Sequence, residues 1–228
     1  MRFKEYSKSQ LESMANELNN DFDPERLQMA KPIDVYDVVS FVGAEIDWKN
    51  LSLDGSILGA TIFTDGKLLV FEEEAGIFKE KIIEVEAGTI IIDSRVENDA
   101  NKGRKNFTVM HEVFHFLYHK KSFARRNGGV KKVLETQILR SYEEMKSGMT
   151  GLEILEWQAN YMAASFLIPR LALINEINLI KSNAIADVKN IVPLSLGEES
   201  TRKLAEKFSV SRQTMVYRLL GLGIIQNR

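Results

Sequence analysis

Apolar residues recur at Leu11, Met14, Ala15 and Leu18, three and four positions apart, which predicts an amphipathic helix over residues 9–20. Asp23-Pro24-Glu25 supplies a cap and a first-turn proline for a second start, and Lys31-Pro32 interrupts the chain again. Asp34 caps a helix through Val35, Val38, Val39 and Val42 that Gly43 stops. The period then shortens. Residues 44–48, 57–63, 68–71, 81–86 and 89–92 read as four or five short strands of a small, largely antiparallel sheet. Asp65-Gly66, between the second and third runs, is a hairpin signal, because glycine takes a positive φ without steric cost. Residues 93–105 are polar, contain Asn98, Asn101 and Gly103, and read as a loop.

The second half is helical in pattern. A central helix opens at Asn106 or Thr108, and Phe107, Val109, Met110, Val113, Phe114, Phe116, Leu117 and Tyr118 leave it almost no polar face. Such a helix is buried. Residues 121–151 begin basic, carry Gly128-Gly129, and include a helical stretch near 134–145. They read as a connection at the rim, either a solvated face or a lid. Residues 152–167 and 171–180 form two further helices, and Val192-Pro193-Leu194 marks a linker. The expected fold class is α+β, organised as an N-terminal helical segment (1–31), a central domain (32–194) with a small antiparallel or mixed sheet, and a C-terminal unit (195–228).

Composition narrows the function classes. The net charge of −2 provides no overall field toward nucleic acid or anionic membrane. The absence of cysteine excludes disulfides, thiolate metal sites and cysteine nucleophiles. The chain opens without an apolar signal region, and no apolar run approaches the roughly 20 residues that span a bilayer. A soluble, cytoplasmic protein with no membrane partner is expected.

The chemistry concentrates in residues 110–120, which hold all three histidines: His111, His115 and His119. His111-Glu112-x-x-His115 is an H-E-x-x-H pattern. Residues four apart share a helical face, so His111 and His115 can present two imidazole nitrogens to one zinc ion. Glu112 lies about 100° round the helix, where it reaches a water rather than the metal and can act as general base. A catalytic zinc site needs a third protein ligand. His119 is unsuited, because i and i+8 lie about 12 Å apart along a straight helix. It reads as structural, held by a local hydrogen bond. A carboxylate remains, and Glu156 is the best candidate. Asn160, one turn further along, can bond the far nitrogen of a ligand histidine and set its tautomer. Glu153 is the nearest competitor, but Trp157 stands where its polar partner would be.

Three blocks together resemble the ImmA/IrrE metallopeptidases. The first runs from Pro32-Ile33-Asp34-Val35 to Gly43, like that family's opening helix. The second, from Phe107-Thr108 through His111-Glu112 and His115 to His119, is similar to its F-T-x-x-H-E-x-x-H-x-x-x-H signature. The third runs from Glu156-Trp157-Gln158-Ala159-Asn160 to Ile168-Pro169 and is similar to its E-x-E-A-N block. The resemblance implies a zincin-like fold with a glutamate third ligand. It also implies regulatory proteolysis in bacteria or their mobile genetic elements, with helix-turn-helix repressors as usual targets. Two positions depart from the family pattern: Gln158 replaces the usual Glu, and Phe114, bulky and near the site, stands where Gly is common.

Residues 204–221 read as a helix-turn-helix-like unit, with Ala205 at the helix crossing, Val210 in the turn and Ser211 as a cap. Residues 201–228 carry six Lys/Arg against one Glu. Arg212, Gln213, Thr214, Tyr217 and Arg218 would face a major groove if DNA were bound. A dock for a repressor partner and a packing cap on the peptidase are the competing readings. The expected function is zinc-dependent hydrolysis of a peptide bond in a regulatory protein. A DNA-binding regulator or an antitoxin-like partner built on a peptidase-like scaffold is the alternative.

Overall fold

The computed structural model describes residues 4–97, 102–123, 130–134, 151–187 and 197–226. Its first helix, α1 (Lys8–Phe22), starts at a capping box. Ser7 Oγ accepts from the Gln10 amide at 3.2 Å, and the Gln10 side chain accepts from the Ser7 amide at 2.9 Å. A 3-10 turn (Pro24–Leu27) follows, and then α2 (Val35–Phe41), capped by Asp34 and left through Gly43 at φ 73°. Leu11, Ala15, Val35, Val38 and Val39 are buried in the main core.

Among the described residues, the strands form two sheets. The first contains β1 (Glu45–Lys49), β2 (Ile57–Ile62), β5 (Thr89–Asp93) and β6 (Val130–Leu134) in the order β1-β5-β2-β6. It is mixed, because β1 runs parallel to β5 while β5–β2 and β2–β6 are antiparallel. The second sheet is a two-stranded ribbon of β3 (Gly66–Glu74) and β4 (Ile77–Val85). The Asp65-Gly66 pair does not close a hairpin. Its flanking strands belong to different sheets, and the Asp65 carboxylate instead accepts from the Ala87 amide at 2.8 Å. The hairpin turn is Ala75-Gly76, both at positive φ (53° and 80°), as a tight turn between twisted strands requires. The ribbon strands extend beyond the apolar runs because Glu72, Glu73, Glu74, Lys79 and Lys81 occupy solvated positions. Cross-strand pairs Lys79–Glu74 and Lys81–Glu72 form there.

Alternation along β5 builds two cores from three consecutive isoleucines. Ile90 and Ile92 enter the main helical core. Ile91 points the other way, joining Ala60, Ile62, Leu68, Val70 and Val85 beneath the ribbon.

The central helix α4 (Lys102–Tyr118) begins before the expected start, after a short α3 (Ser94–Glu97), so much of the expected 93–105 loop is helical. Asn106 is not its cap, since its side chain donates to the Ser209 carbonyl at 2.9 Å. Gly103 reads as a loop marker in sequence, but it lies within α4. A Cβ there would fall 2.2 Å from the backbone of Val210 and Ser211, so the residue permits close packing of backbones. A short α5 (Lys120–Phe123) follows. The helical stretch expected near 134–145 lies outside the described residues beyond Leu134, which ends β6, and so does the 192–194 linker.

Helix α6 (Gly151–Leu167) packs against α1 on one side and α4 on another, and α4 also covers β2 and β5. After it come α7 (Arg170–Asp187), α8 (Glu198–Lys207) and α9 (Arg212–Gly221). The last two are joined by a tight turn in which Ser209 takes φ 53° and Ser211 caps α9 through the Thr214 amide. Leu204, Ala205, Phe208, Val210, Met215 and Leu219 belong to the main core, so this pair shares its interior with the rest of the chain.

Candidate metal centre

Helix α4 is held between the sheet and α6, and its polar residues point toward both neighbours. His111 is 5% exposed, and Glu112, His115 and His119 are each 1% exposed. Buried polar groups without partners cost several kcal/mol, so their surroundings must answer them.

Toward α6, His111 Nε2 lies 3.2 Å from Glu156 Oε2, and His115 Nε2 lies 3.5 Å from Glu156 Oε1. The two Nε2 atoms are 2.9 Å apart. Asn160 Oδ1 lies 2.8 Å from His111 Nδ1 and accepts its proton, which leaves the Nε2 lone pair directed at the cluster. The three side chains offer ligand atoms all within 4.8 Å of one another. Donors about 2.0–2.2 Å from a tetrahedral zinc ion are themselves separated by roughly 3.3–3.6 Å. The observed edges of 2.9, 3.2 and 3.5 Å lie at or a few tenths of an ångström below that separation. The donor set also fits a cation chemically, since imidazole lone pairs and a carboxylate converging in a buried space repel unless positive charge lies among them. Glu153 is not part of this cluster, whereas Glu156 is.

Toward the sheet, the Glu112 carboxylate meets β2. Thr61 donates its hydroxyl to Glu112 Oε2 at 2.6 Å, with the Glu112 backbone carbonyl at 3.1 Å as a second acceptor. Gly59 supplies the space, because a Cβ there would lie 2.6 Å from Glu112 Oε1. The register pairs Gly59 with Ile92 and Thr61 with Ile90, so all four share the face that α4 covers. Sequence reasoning missed both β2 residues. Gly59 had a usable signal, as a lone glycine within Ile57-Leu58-Gly59-Ala60-Thr61-Ile62 marks close approach by another element. Thr61 had none, since threonine is ordinary in strands.

His119 lies outside the metal cluster, with Nδ1 at 2.8 Å from His115 Nδ1 and Nε2 at 3.3 Å from Gln158 Oε1. Phe114 is fully buried, stacked on Tyr118 and edge-on to Phe166.

Of the residues expected to face DNA, Arg218 is turned inward. It is 4% exposed, donates to the Ile168 carbonyl and to Ser165 Oγ, and pairs with Glu12. The helical spacing from Arg212 places it on the core side of α9, where a guanidinium is tolerated only with such partners. Arg212 and Gln213 are exposed, while Thr214 and Tyr217 are partly buried. The excess of basic residues is also smaller than it looks from residue 201 onward, because α8 starts at Glu198 and brings Glu198 and Glu199. Arg202 pairs with Glu199 and Glu206, Lys203 with Glu199, Lys207 with Glu176 and Arg212 with Glu198.

Two histidines one turn apart, an intervening glutamate and a second-helix glutamate form the layout of a metallopeptidase. The chain belongs to the ImmA/IrrE family of metallopeptidases. The Peptidase M78 family model, described as IrrE N-terminal-like domain, matches residues 88–220, more than half of the 228-residue chain. That span includes every residue of the cluster as well as α8 and nearly all of α9. A comparison with curated proteins finds no match. Among the described residues, no single helix is long and apolar enough to cross a membrane.

Proposed function

We propose that the protein is a zinc-dependent endopeptidase acting in the cytoplasm, with a regulatory protein, in particular a helix-turn-helix repressor, as substrate. The reading rests above all on the convergence of His111 Nε2, His115 Nε2 and Glu156 within ligand distance of one another. His111, His115 and Glu156 are the ligands. Zinc held there supplies Lewis acidity to a water molecule and to the scissile carbonyl. Glu112 is the general base, taking a proton from the attacking water and passing it to the leaving amine. Thr61 fixes the Glu112 carboxylate through Oε2, so its orientation is set before substrate arrives. Asn160 sets the tautomer of His111. The C-terminal helix pair, of helix-turn-helix layout, caps the core and offers Arg212 and Gln213 to the protein substrate rather than to DNA. The pairing of its described basic residues with carboxylates favours that choice.

The test is elemental analysis of the purified protein, followed by incubation with the repressor encoded beside its gene. One zinc per chain is expected. Glu112→Gln should lower cleavage by roughly 10²–10⁴-fold while leaving zinc content unchanged. Normal cleavage by that variant would remove Glu112 from the mechanism.

A further inference from the structure

His119 and Gln158 take no part in the proposed chemistry, yet both are buried at the back of the cluster, 1% and 0% exposed. They form a line of contacts that ends on a backbone carbonyl. His115 Nδ1 lies 2.8 Å from His119 Nδ1, His119 Nε2 lies 3.3 Å from Gln158 Oε1, and Gln158 Nε2 donates to the Lys4 carbonyl at 3.0 Å.

The direction of this line follows from its far end. A carbonyl oxygen only accepts, so the Gln158 amide must turn its NH₂ toward Lys4 and its Oε1 toward His119. An amide oxygen also only accepts, so His119 must carry its proton on Nε2. A neutral imidazole has one N–H, so His119 Nδ1 is then an acceptor. It can accept only if His115 carries its proton on Nδ1. His115 Nε2 is left with its lone pair toward His111 and Glu156.

We propose that His119 and Gln158, anchored on the Lys4 carbonyl, are positioning residues that set the tautomer and ring orientation of His115 for metal binding. The inference rests on the metal-centre reading above and adds residues from the N-terminal segment and the inner face of α6 to that site. The two histidine ligands are thus oriented by separate routes: His111 through Asn160, and His115 by a three-member relay. The relay also gives Gln158 a reason. Its amide both accepts from His119 and donates to Lys4, and a carboxylate at this position could only accept.

Two measurements on the full-length, zinc-loaded protein test the proposal. In long-range ¹H–¹⁵N spectra of the imidazoles, His119 is expected to carry its proton on Nε2, with Nδ1 showing the shift of a hydrogen-bonded acceptor. A proton on His119 Nδ1 overturns the relay, and this readout needs no variant to fold. Zinc affinity is measured by competition with a chromophoric chelator. Gln158→Met keeps the volume but cannot accept a strong hydrogen bond, and should weaken zinc by about 10–100-fold, as loss of an outer partner does. Gln158→Glu keeps an acceptor for His119 and loses the donation to Lys4, so it should bind zinc more tightly than Gln158→Met. Affinity unchanged in Gln158→Met, or equally weak in both variants, overturns the relay while the metal centre stands. If the parent protein binds no zinc, or if His111→Ala binds it undiminished, the metal-centre reading itself falls and the relay with it.

Discussion

Two buried polar clusters share one hydrophobic core, and they are built in opposite ways. At the junction of α1, α6 and α9, the Arg218 guanidinium meets the Glu12 carboxylate, with Ser165 and the Ile168 carbonyl filling the remaining positions. Donors and acceptors are matched and opposite charges adjoin. At the junction of α4 and α6, two imidazole Nε2 atoms and a carboxylate face one another within 3.5 Å. That cluster is rich in acceptors. A matched cluster closes on itself and holds elements together. An acceptor-rich cluster favours a cation from outside, which the matched cluster does not need.

The comparison can be broken at either cluster. The largest effect is expected at the second. His115→Ala should abolish tight zinc binding and cleavage together, since two remaining ligands cannot hold a catalytic zinc firmly. Metal content and turnover measured on the same preparation check this, and retention of stoichiometric zinc would contradict the ligand assignment. At the first cluster, Arg218→Met leaves Glu12 as a partly buried charge without its cation. Loss of about 3–5 kcal/mol is expected from denaturant unfolding. Zinc affinity of the fraction that remains folded should be unchanged, and a parallel drop would show that the two clusters are coupled.

A smaller effect tests the support of the base. Thr61→Val preserves shape and removes the hydrogen bond to Glu112 Oε2. A hydrogen bond to a charged group contributes about 1.5–3 kcal/mol, so kcat should fall by roughly 10–100-fold with KM and metal content little altered. A rise in KM at constant kcat would place Thr61 in substrate binding instead.

The smallest effect is in pH. Burial pushes the Glu12 carboxyl up, but the hydrogen bond and charge of Arg218, with help from Ser165 and Tyr161, outweigh burial and hold it below its ordinary 4.5. A carboxyl depressed in the folded state contributes stability that is complete above its unfolded pKa. That stability is lost as the pH falls through the folded value. Stability should therefore decline below about pH 4.5, and Glu12→Gln should flatten that part of the curve. A profile unchanged by the substitution would assign the acid sensitivity to other groups.

The parts of this protein that were legible in advance share a cause. The H-E-x-x-H spacing, the Glu156–Asn160 step and the amphipathic period of α1 are all local, because a helix alone decides which residues four apart share a face. The Phe107-to-His119 and Glu156-to-Pro169 blocks identified the family on the same basis, and the family match covers them both. What was misread depends on contacts between distant segments. Asp65-Gly66 has hairpin chemistry, but the strands it joins find better partners in separate sheets. Gly103 looked like a break and is a place where α4 passes against the backbone at Val210 and Ser211. Arg218 was expected to face a major groove and is turned into the core, since a basic residue on a helix shows its charge in sequence but not its direction.

The sequence by itself determined the class of chemistry. It placed two imidazoles and a carboxylate on one helix turn, and a carboxylate with an amide partner on another. Tertiary structure alone decided how those groups are held: Gly59 clearing space for Glu112, Thr61 fixing its carboxylate, and Gln158 joining His119 to the Lys4 carbonyl. The physical reason is range. Side-chain spacing along a helix is written in a few neighbouring residues. The orientation of a buried polar group is set by whichever segment the fold brings against it, here from 39 to 154 positions away.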